Sequence, residues 1–383
     1  MSKNLKTWTI LICCYNCTKT IQKTLNSIIF KNNDDIDVLL VDDGSTDNLY
    51  KVIKPYLNSC PKQIHYFKKQ NGNQGSCINF AIKKAKSRFF SLLDSDDEYN
   101  INYFQEVLNN LRQIRKNTDL VILNYDMLFH KKNKIKHKRS VISLTSKKRK
   151  YVNFNNMTLY SILTIHNSIY SLSLLKQIQP LPEYVSFSDI ALYYQTLLKI
   201  KKIVYLNKKI HLYQYHIRKD EQIIYIKNSI KKFADFLYVF EYLLTIPIKK
   251  LPKKRIMAAK KIINYLLYWI MEVLAQNYNF TKKQKSTIIK ECYRKVKAYE
   301  IENDCIGKIT PIILKLFHKT KYSGIFFAKF IYNIVPSNIV QATKWTKDQK
   351  KEASYLLKKM RLQDKLIQKH DKLFKNSTKI SNF

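Results

Sequence analysis

Glycine and proline are scarce in this chain, with 5 and 8 among 383 residues. Hydrophobic residues make up 45% and charged residues 25%, an ordinary globular mix that excludes collagen-like repeats and wholesale disorder. Long apolar runs are missing as well. None reaches the roughly 18 to 20 residues that a spanning helix needs. The nearest, Ile262–Ala275, is interrupted by Asn264 and Glu272. The opening MSKNLKTWTILICCYN has only a short apolar stretch followed at once by polar residues, so no secretory leader is expected. These absences predict a soluble or membrane-surface protein. Cysteine is sparse and odd in number, at seven. Cys14-Tyr-Asn-Cys17 is formally C-x-x-C, but it has no second such pair and no nearby pair of histidines, which argues against a zinc site and for a reduced compartment.

Acidic residues are the other shortage. There are 28 Asp and Glu against 69 Lys and Arg, a net charge of +41, and none at all between Met127 and Pro182. That balance favours polyanionic partners such as nucleic acid, an anionic membrane face or phosphorylated ligands. Compositional drift is the competing explanation. At roughly 150 residues per domain the length predicts two or three domains.

Strand-like and helix-like segments alternate through the first 125 residues. Strands are expected at Trp8–Cys14, Asp37–Val41, Ile64–Lys68, Arg88–Leu93 and Leu120–Tyr125. Helices are expected at Thr18–Phe30, Asp47–Leu57, Gln74–Lys86 and Asn102–Arg115. This order predicts an α/β fold with a mostly parallel sheet flanked by helices. The basic stretch Lys131–Lys150 reads as an exposed hairpin or loop. Asp189–Ile200 reads as a helix, and Ile203–Leu206 and His211–Tyr215 as two strands. From about 219 the pattern is helical, with helices expected at Phe233–Leu244, Lys253–Gln276, Lys282–Tyr299, Tyr322–Ile334 and Ser337–Phe374, and no internal repeat. The predicted division is a catalytic domain over 1–218, in halves 1–125 and 126–218, followed by a helical domain over 219–383.

Polar motifs sit where the strands end, the edge at which open α/β sheets bind ligands. Asp42-Asp43-Gly44-Ser45 follows Val-Leu-Leu-Val, and Asp94-Ser95-Asp96-Asp97 follows Phe-Phe-Ser-Leu-Leu. Carboxylates at the end of a buried strand are costly unless they bind something. A hard divalent cation held by one or two carboxylates together with substrate phosphates answers that cost. The D-x-D spacing puts Asp94 and Asp96 on one side of an extended chain and Asp97 on the other unless the chain turns. Three of the five glycines, Gly44, Gly72 and Gly75, fall among these motifs.

The order of the motifs carries more than any one of them. Cys-Cys-Tyr15-Asn16, VDDGSTDN over Val41–Asn48, Asn71-Gly72-Asn73-Gln74-Gly75 with Asn79, and LLDSDD over Leu92–Asp97 together resemble the inverting glycosyltransferases of family 2, which have the GT-A nucleotide-sugar fold. The likeness is strong over roughly residues 7–125. It implies a mostly parallel GT-A sheet with an α-helical C-terminal region, a UDP-sugar donor, and Mn²⁺ or Mg²⁺. It also implies a donor site of Cys13, Tyr15, Asn16, Asp42, Asp43, Gly44, Ser45, Asn71, Gly75, Asn79, Asp94, Ser95, Asp96 and Arg218. Tyr15 would stack on the base, and Asp42 or Asp43 would accept from it. Asp94 and Asp96 would lie against ribose and sugar, and Asp96 and Asp97 would meet the metal, with the direct ligand left open among the three. Cys13 departs from the family's usual Pro or small polar residue, and the Arg often found before Asn79 is missing.

The resemblance also places the base that takes the acceptor's proton at a helix start, here Asp189 in Ser186-Phe187-Ser188-Asp189, with Glu183 as the alternative. The helix N-terminus would lower its pKa somewhat. His166-Asn-Ser-Ile-Tyr170 resembles the segment before that base, and Leu212-Tyr-Gln-Tyr215 with Arg218 and Gln222 resembles the tail of a bacterial subgroup. The implied acceptor is a glycan or lipid-linked hydroxyl in surface polysaccharide or cell-envelope biosynthesis. The implied location is cytoplasmic, with peripheral association at the inner membrane face offered by the Lys-rich, aromatic helices. No specific nucleic acid is expected. A basic nucleic-acid-binding protein and a GT-A-like nucleotidyltransferase are the alternatives. The first has no recognisable reader motif, and the second normally has a Gly-rich loop that Cys13–Lys19 lacks.

Overall fold

The computed structural model describes residues 5–31, 33–131, 134–141, 149–153, 164–216, 230–276 and 280–302. Contacts divide the chain into two compact units, 1–314 and 315–383. The helices expected at Tyr322–Ile334 and Ser337–Phe374, and the tail residues Arg218 and Gln222, lie outside the described residues.

The first half alternates as its periodicity predicts: β1 (Lys6–Cys14), α1 (Ile21–Asn26), β2 (Ile36–Asp42), α2 (Leu49–Ser59), β3 (Ile64–Lys68), α3 (Asn73–Lys84), β4 (Ser87–Leu92), β5 (Glu98–Tyr99) and α4 (Ile101–Gln113). β2 is buried at every position, the pattern of a strand covered on both faces. α4 buries Phe104, Val107, Leu108 and Leu111, a helical spacing of apolar residues, and Asn100 caps it by accepting from the Asn102 N–H. Two expected helices differ in extent. α1 spans six residues rather than the longer Thr18–Phe30, and Pro55 lies inside α2 rather than near its end.

The second half comprises β6 (Leu120–Lys131), β7 (Lys134–Val141), β8 (Arg149–Asn153), β9 (Ser168–Ser171), the short α5 (Leu172–Leu175), α6 (Ser188–Lys199) and β10 (Lys202–His216). The basic stretch expected as a hairpin or loop supplies β7, antiparallel to β6, and the start of β8. The two strands expected after α6 are one. β10 runs through Asn207–Lys209 with shifts of register against β6 at that point, so the polar residues mark a bulge and not a break. α7 (Ile230–Leu244), α8 (Lys253–Gln276) and α9 (Lys282–Glu302) follow.

The sheet order is β3-β2-β1-β4-β9-β6-β10-β5, with β7 on β6 and β8 on β10. β3, β2, β1 and β4 are parallel, as expected. β9 then runs antiparallel to both β4 and β6, so the sheet as a whole is mixed. The strand order reverses at β1, which pairs with β2 on one side and β4 on the other. A crevice at the carboxyl ends of these strands is where such sheets bind nucleotides. The core lies between this sheet and its helices, around Trp8, Phe89 and Phe104, with Trp8 stacked on Phe104. Among the described residues no helix is long and apolar enough to cross a membrane.

Candidate active site

A cavity of about 450 Å³ opens at that crevice. The tip of β1 forms its floor through Cys13, Cys14 and Tyr15, and Cys77 from α3 lies beside them. The tips of β1 and β2 are joined by the Asp43 N–H, which donates to the Cys14 carbonyl at 2.8 Å. Tyr15 is 55% exposed, so its ring is available to stack on a flat ligand. Asn16 adopts a left-handed φ of 49° and ties the β1 turn to the β2 turn: its N–H donates to Ser45 Oγ, and its Oδ1 accepts from the Thr46 N–H. The six cysteines among the described residues are free thiols.

Asp42 and Asp43 have different work. Asp42 is buried and accepts from the Ser45 N–H at 2.7 Å and the Tyr66 hydroxyl at 2.6 Å. Burial pushes its carboxyl up, but those hydrogen bonds more than offset that and leave it below the usual range. Asp42 therefore holds the turn. Gly44 and Ser45 also belong to the turn: Gly44 has φ +83°, and a Cβ there would meet the Asn71 nitrogen at 3.1 Å. Asp43 lines the cavity, paired with Lys69 Nζ at 2.6 Å and accepting from the Gly72 N–H at 2.9 Å. Asn71 also lines it and donates to the Asp43 carbonyl.

The loop after β4 places its carboxylates in opposite surroundings. Asp94, Ser95 and Asp96 line the cavity, whereas Asp97 is fully buried. The Asp97 N–H donates to the Asp94 carbonyl, closing a tight turn. Asp97 Oδ2 lies 2.7 Å from His211 Nε2 on β10 and 3.4 Å from His166 Nδ1 ahead of β9. Burial pushes Asp94 up to about 7, with Asp97, Asp96 and Asp189 adding to the rise and His166 opposing it. Burial pushes Asp97 the same way, but the hydrogen bonds and charges of His166 and His211 outweigh it and hold the carboxyl far below the usual range. The two therefore act oppositely on stability. Asp94 costs stability as pH rises from 3.8 to about 7, while Asp97 contributes stability above 3.8 that is lost as pH falls through its native value.

Two donor sets for a divalent ion are present. Asp94 and Asp96 offer carboxylate oxygens to the cavity, which suits a hard cation shared with phosphates. Asp97, His166 and His211 each offer one ligand atom, all within 4.8 Å of one another, a mixed nitrogen and oxygen set that could hold a metal ion. Asp96 and Asp97, named together as ligands from sequence, thus belong to different sets.

Asp189 opens α6 and lies near enough to Asp94 for its charge to raise that carboxyl, with His166 close to both. Its pKa is raised, against the lowering expected from the helix start. Burial pushes Asp189 up, and the N–H groups of its own residue and Ile190, the helix-end effect, do not overcome it. The loop before Asp189 is held from two sides. From α3, Asn79 donates to the Leu181 carbonyl at 2.9 Å and to Glu183 Oε1 at 2.8 Å, and accepts from the Leu181 N–H at 2.8 Å. The Tyr184 N–H donates to the Gly72 carbonyl. From α7, Asp235 accepts from the Ser186 N–H at 3.0 Å, Lys232 Nζ donates to Ser186 Oγ, and Phe236 meets the Phe187 ring edge-on. Tyr184 and Phe187 both have left-handed φ, which these contacts sustain.

Gly75 and Asn79, expected at the donor, therefore serve this loop and do not line the cavity. A Cβ on Gly75 would lie 2.1 Å from the Pro182 carbonyl oxygen and 2.7 Å from Ser188 Oγ. Gly75→Ala is expected to cost about 1–3 kcal/mol, because backbone must move. It should also lower kcat on the order of 10²-fold by displacing Asp189. Urea unfolding read beside turnover checks both; a variant with native stability and rate would show that the loop accommodates the methyl. Sequence reasoning misses Lys69, Gln74, His211 and Lys231 as site residues. Gln74 stands inside the Asn-Gly motif without being marked out by it. The other three fall outside the motifs, and only the topology brings them here.

A sheet of this order with a polar cavity at its switch point is an arrangement that binds nucleotides. The glycosyl transferase family 2 model matches residues 9–179. The chain is 31% identical over 233 residues to the uncharacterized glycosyltransferase MG060 homolog of Mycoplasma pneumoniae, covering 59% of this chain and 73% of that protein. It is 39% identical over 124 residues to the uncharacterized glycosyltransferase MG060 of Mycoplasma genitalium, spanning 30% of this chain and 40% of that one. In structure it resembles S. aureus TarS 1-349 in complex with UDP-GlcNAc at a TM-score of 0.50 and 19% identity, over 76% of this chain and 79% of that one. Full TarS gives 0.53 at 19% identity over 82% and 53%. The chain belongs to glycosyl transferase family 2, and its fold is that of the GT-A glycosyltransferases.

Proposed function

We propose that this protein transfers a sugar, with inversion, from a nucleotide-diphosphate sugar to an acceptor hydroxyl, and that the donor is a UDP-sugar. The observation that carries the reading is the convergence of Asp94 and Asp96 from one strand tip and Tyr15 and Asp43 from two others on one crevice, with Asp189 at a helix start near enough to raise Asp94. In this reading Tyr15 stacks on the base and Asp43, held by Lys69, accepts from it. Asp94 and Asp96 face the ribose, sugar and phosphates. Asp189 accepts the acceptor hydroxyl's proton as its oxygen bonds to the sugar C1 and the bond from C1 to the diphosphate breaks on the opposite face. Mn²⁺ or Mg²⁺ held by Asp96, with Asp97 and its histidines as the second donor set, would offset charge on the leaving nucleoside diphosphate.

The acceptor in this reading is a glycan or lipid-linked hydroxyl of bacterial surface polysaccharide, and the enzyme works in the cytoplasm or at the inner membrane face. Residues 1–218 bear the catalytic groups, and α7, α8 and α9 follow. Asp96→Asn is expected to reduce Mn²⁺-dependent turnover of UDP-sugars at least tenfold, on the scale of a lost charged contact. Turnover of a nucleotide-sugar panel by wild type and variant checks this, and equal rates would remove Asp96 from the site.

A further inference from the structure

The cavity wall holds a cation that no motif announces. Lys231, the second residue of α7, lines it together with Asp43, Asp94 and Asp96. Asp43 already has a cation in Lys69. Lys231 is exposed and has no carboxylate partner among the described residues. Lys232 is occupied by Ser186 Oγ. Lys231 is left facing a space whose other charges are carboxylates.

An ammonium on a cavity wall with no carboxylate of its own suits an anion, and the anion must be one that also suits the ring of Tyr15 and the acceptor oxygens of Asp43 and Asp94. A nucleoside diphosphate fits: base at one end, hydroxyls between, and phosphates toward the lysine. A three-donor ammonium is a common partner for such phosphates.

We propose that Lys231 binds the diphosphate of the donor nucleotide, so that α7 closes the phosphate side of the cavity while its next turn holds the Asp189 loop. This rests on the transferase reading. It makes α7 the element that senses the donor on one side and positions the base on the other.

The test is calorimetric titration of wild type, Lys231→Met and Lys231→Arg with UDP and with uridine, and with GDP and guanosine as a second pair. Lys231→Met should weaken diphosphate binding about tenfold, the scale of one charged hydrogen bond, and leave the nucleoside unchanged. Lys231→Arg should keep most of the affinity. Diphosphate affinity unchanged in Lys231→Met overturns the assignment. Equal losses for nucleotide and nucleoside also overturn it, since that pattern reports a disturbed cavity and not a phosphate contact. If wild type binds neither UDP nor GDP, the transferase reading itself fails, and this is distinguishable because the defect is then in the unaltered protein.

Discussion

Replacing Asp189 with Asn is expected to lower kcat by about 10²–10⁴-fold, the usual worth of a positioned general base. UDP affinity should stay the same, because Asp189 does not line the cavity. The pH dependence follows from its surroundings. Burial raises the Asp189 carboxyl, with His166 opposing the rise, so the group takes up its proton at a higher pH than an ordinary carboxylate. A protonated base cannot accept the acceptor's proton. The wild-type rate should therefore fall on the acid side from a pH above the usual carboxylate range, and the residual rate of the Asp189→Asn variant should lack that limb. Steady-state rates from acid to neutral pH, measured with saturating donor, separate the two. A full rate in Asp189→Asn would transfer the base role to Glu183, which instead receives a hydrogen bond from Asn79.

The second large effect is structural. His211→Leu should destabilise the protein by about 3–5 kcal/mol, the cost of stripping a buried charge of its partner. Asp97 is fully buried and would lose the nearer of its two histidines, since His166 lies at the longer distance of 3.4 Å. The penalty carries a pH signature. Asp97's native pKa is depressed, so its contribution is complete above 3.8 and disappears as the pH falls through the native value. The gap between wild type and variant in chemical denaturation should be full near neutrality and narrow in acid. A gap of under about 1 kcal/mol at neutral pH would mean that the histidine adds little, as exposed pairs do.

Much of this site was legible in sequence because strand tips declare themselves locally. An apolar run ending abruptly in Asp-Asp-Gly-Ser or Asp-Ser-Asp-Asp marks both the strand and the edge at which it stops. Asp42 and Asp43 could not be told apart that way. Their roles divide only through Tyr66 on the neighbouring strand and Lys69 beyond it. The His211 contact to Asp97 bridges 114 positions and leaves no local trace. In sequence Gly75 is only a glycine near a ligand motif, whereas its reason is the distant carbonyl of Pro182, which comes within reach only when α3 and the loop before α6 pack. The bulge in β10 misled the strand reading for the opposite reason. Local polarity at Asn207–Lys209 imitates a loop, while pairing with β6 carries the strand across it. The direction of the Asp189 shift was missed because a helix end is visible in sequence and burial is not.

The triple hold of α7 on Ser186 and Phe187 bears on what the smallest working enzyme can be. A fragment stopped at residue 218 would retain the parallel strands and the carboxylates of the cavity. It would forfeit Asp235, Lys232 and Phe236, and with them the brace on a loop whose backbone is twisted into left-handed geometry at two places. In the proposed reading such a fragment would keep the donor cavity and lose the hold on its base, so α7 would be an integral working part of the catalyst.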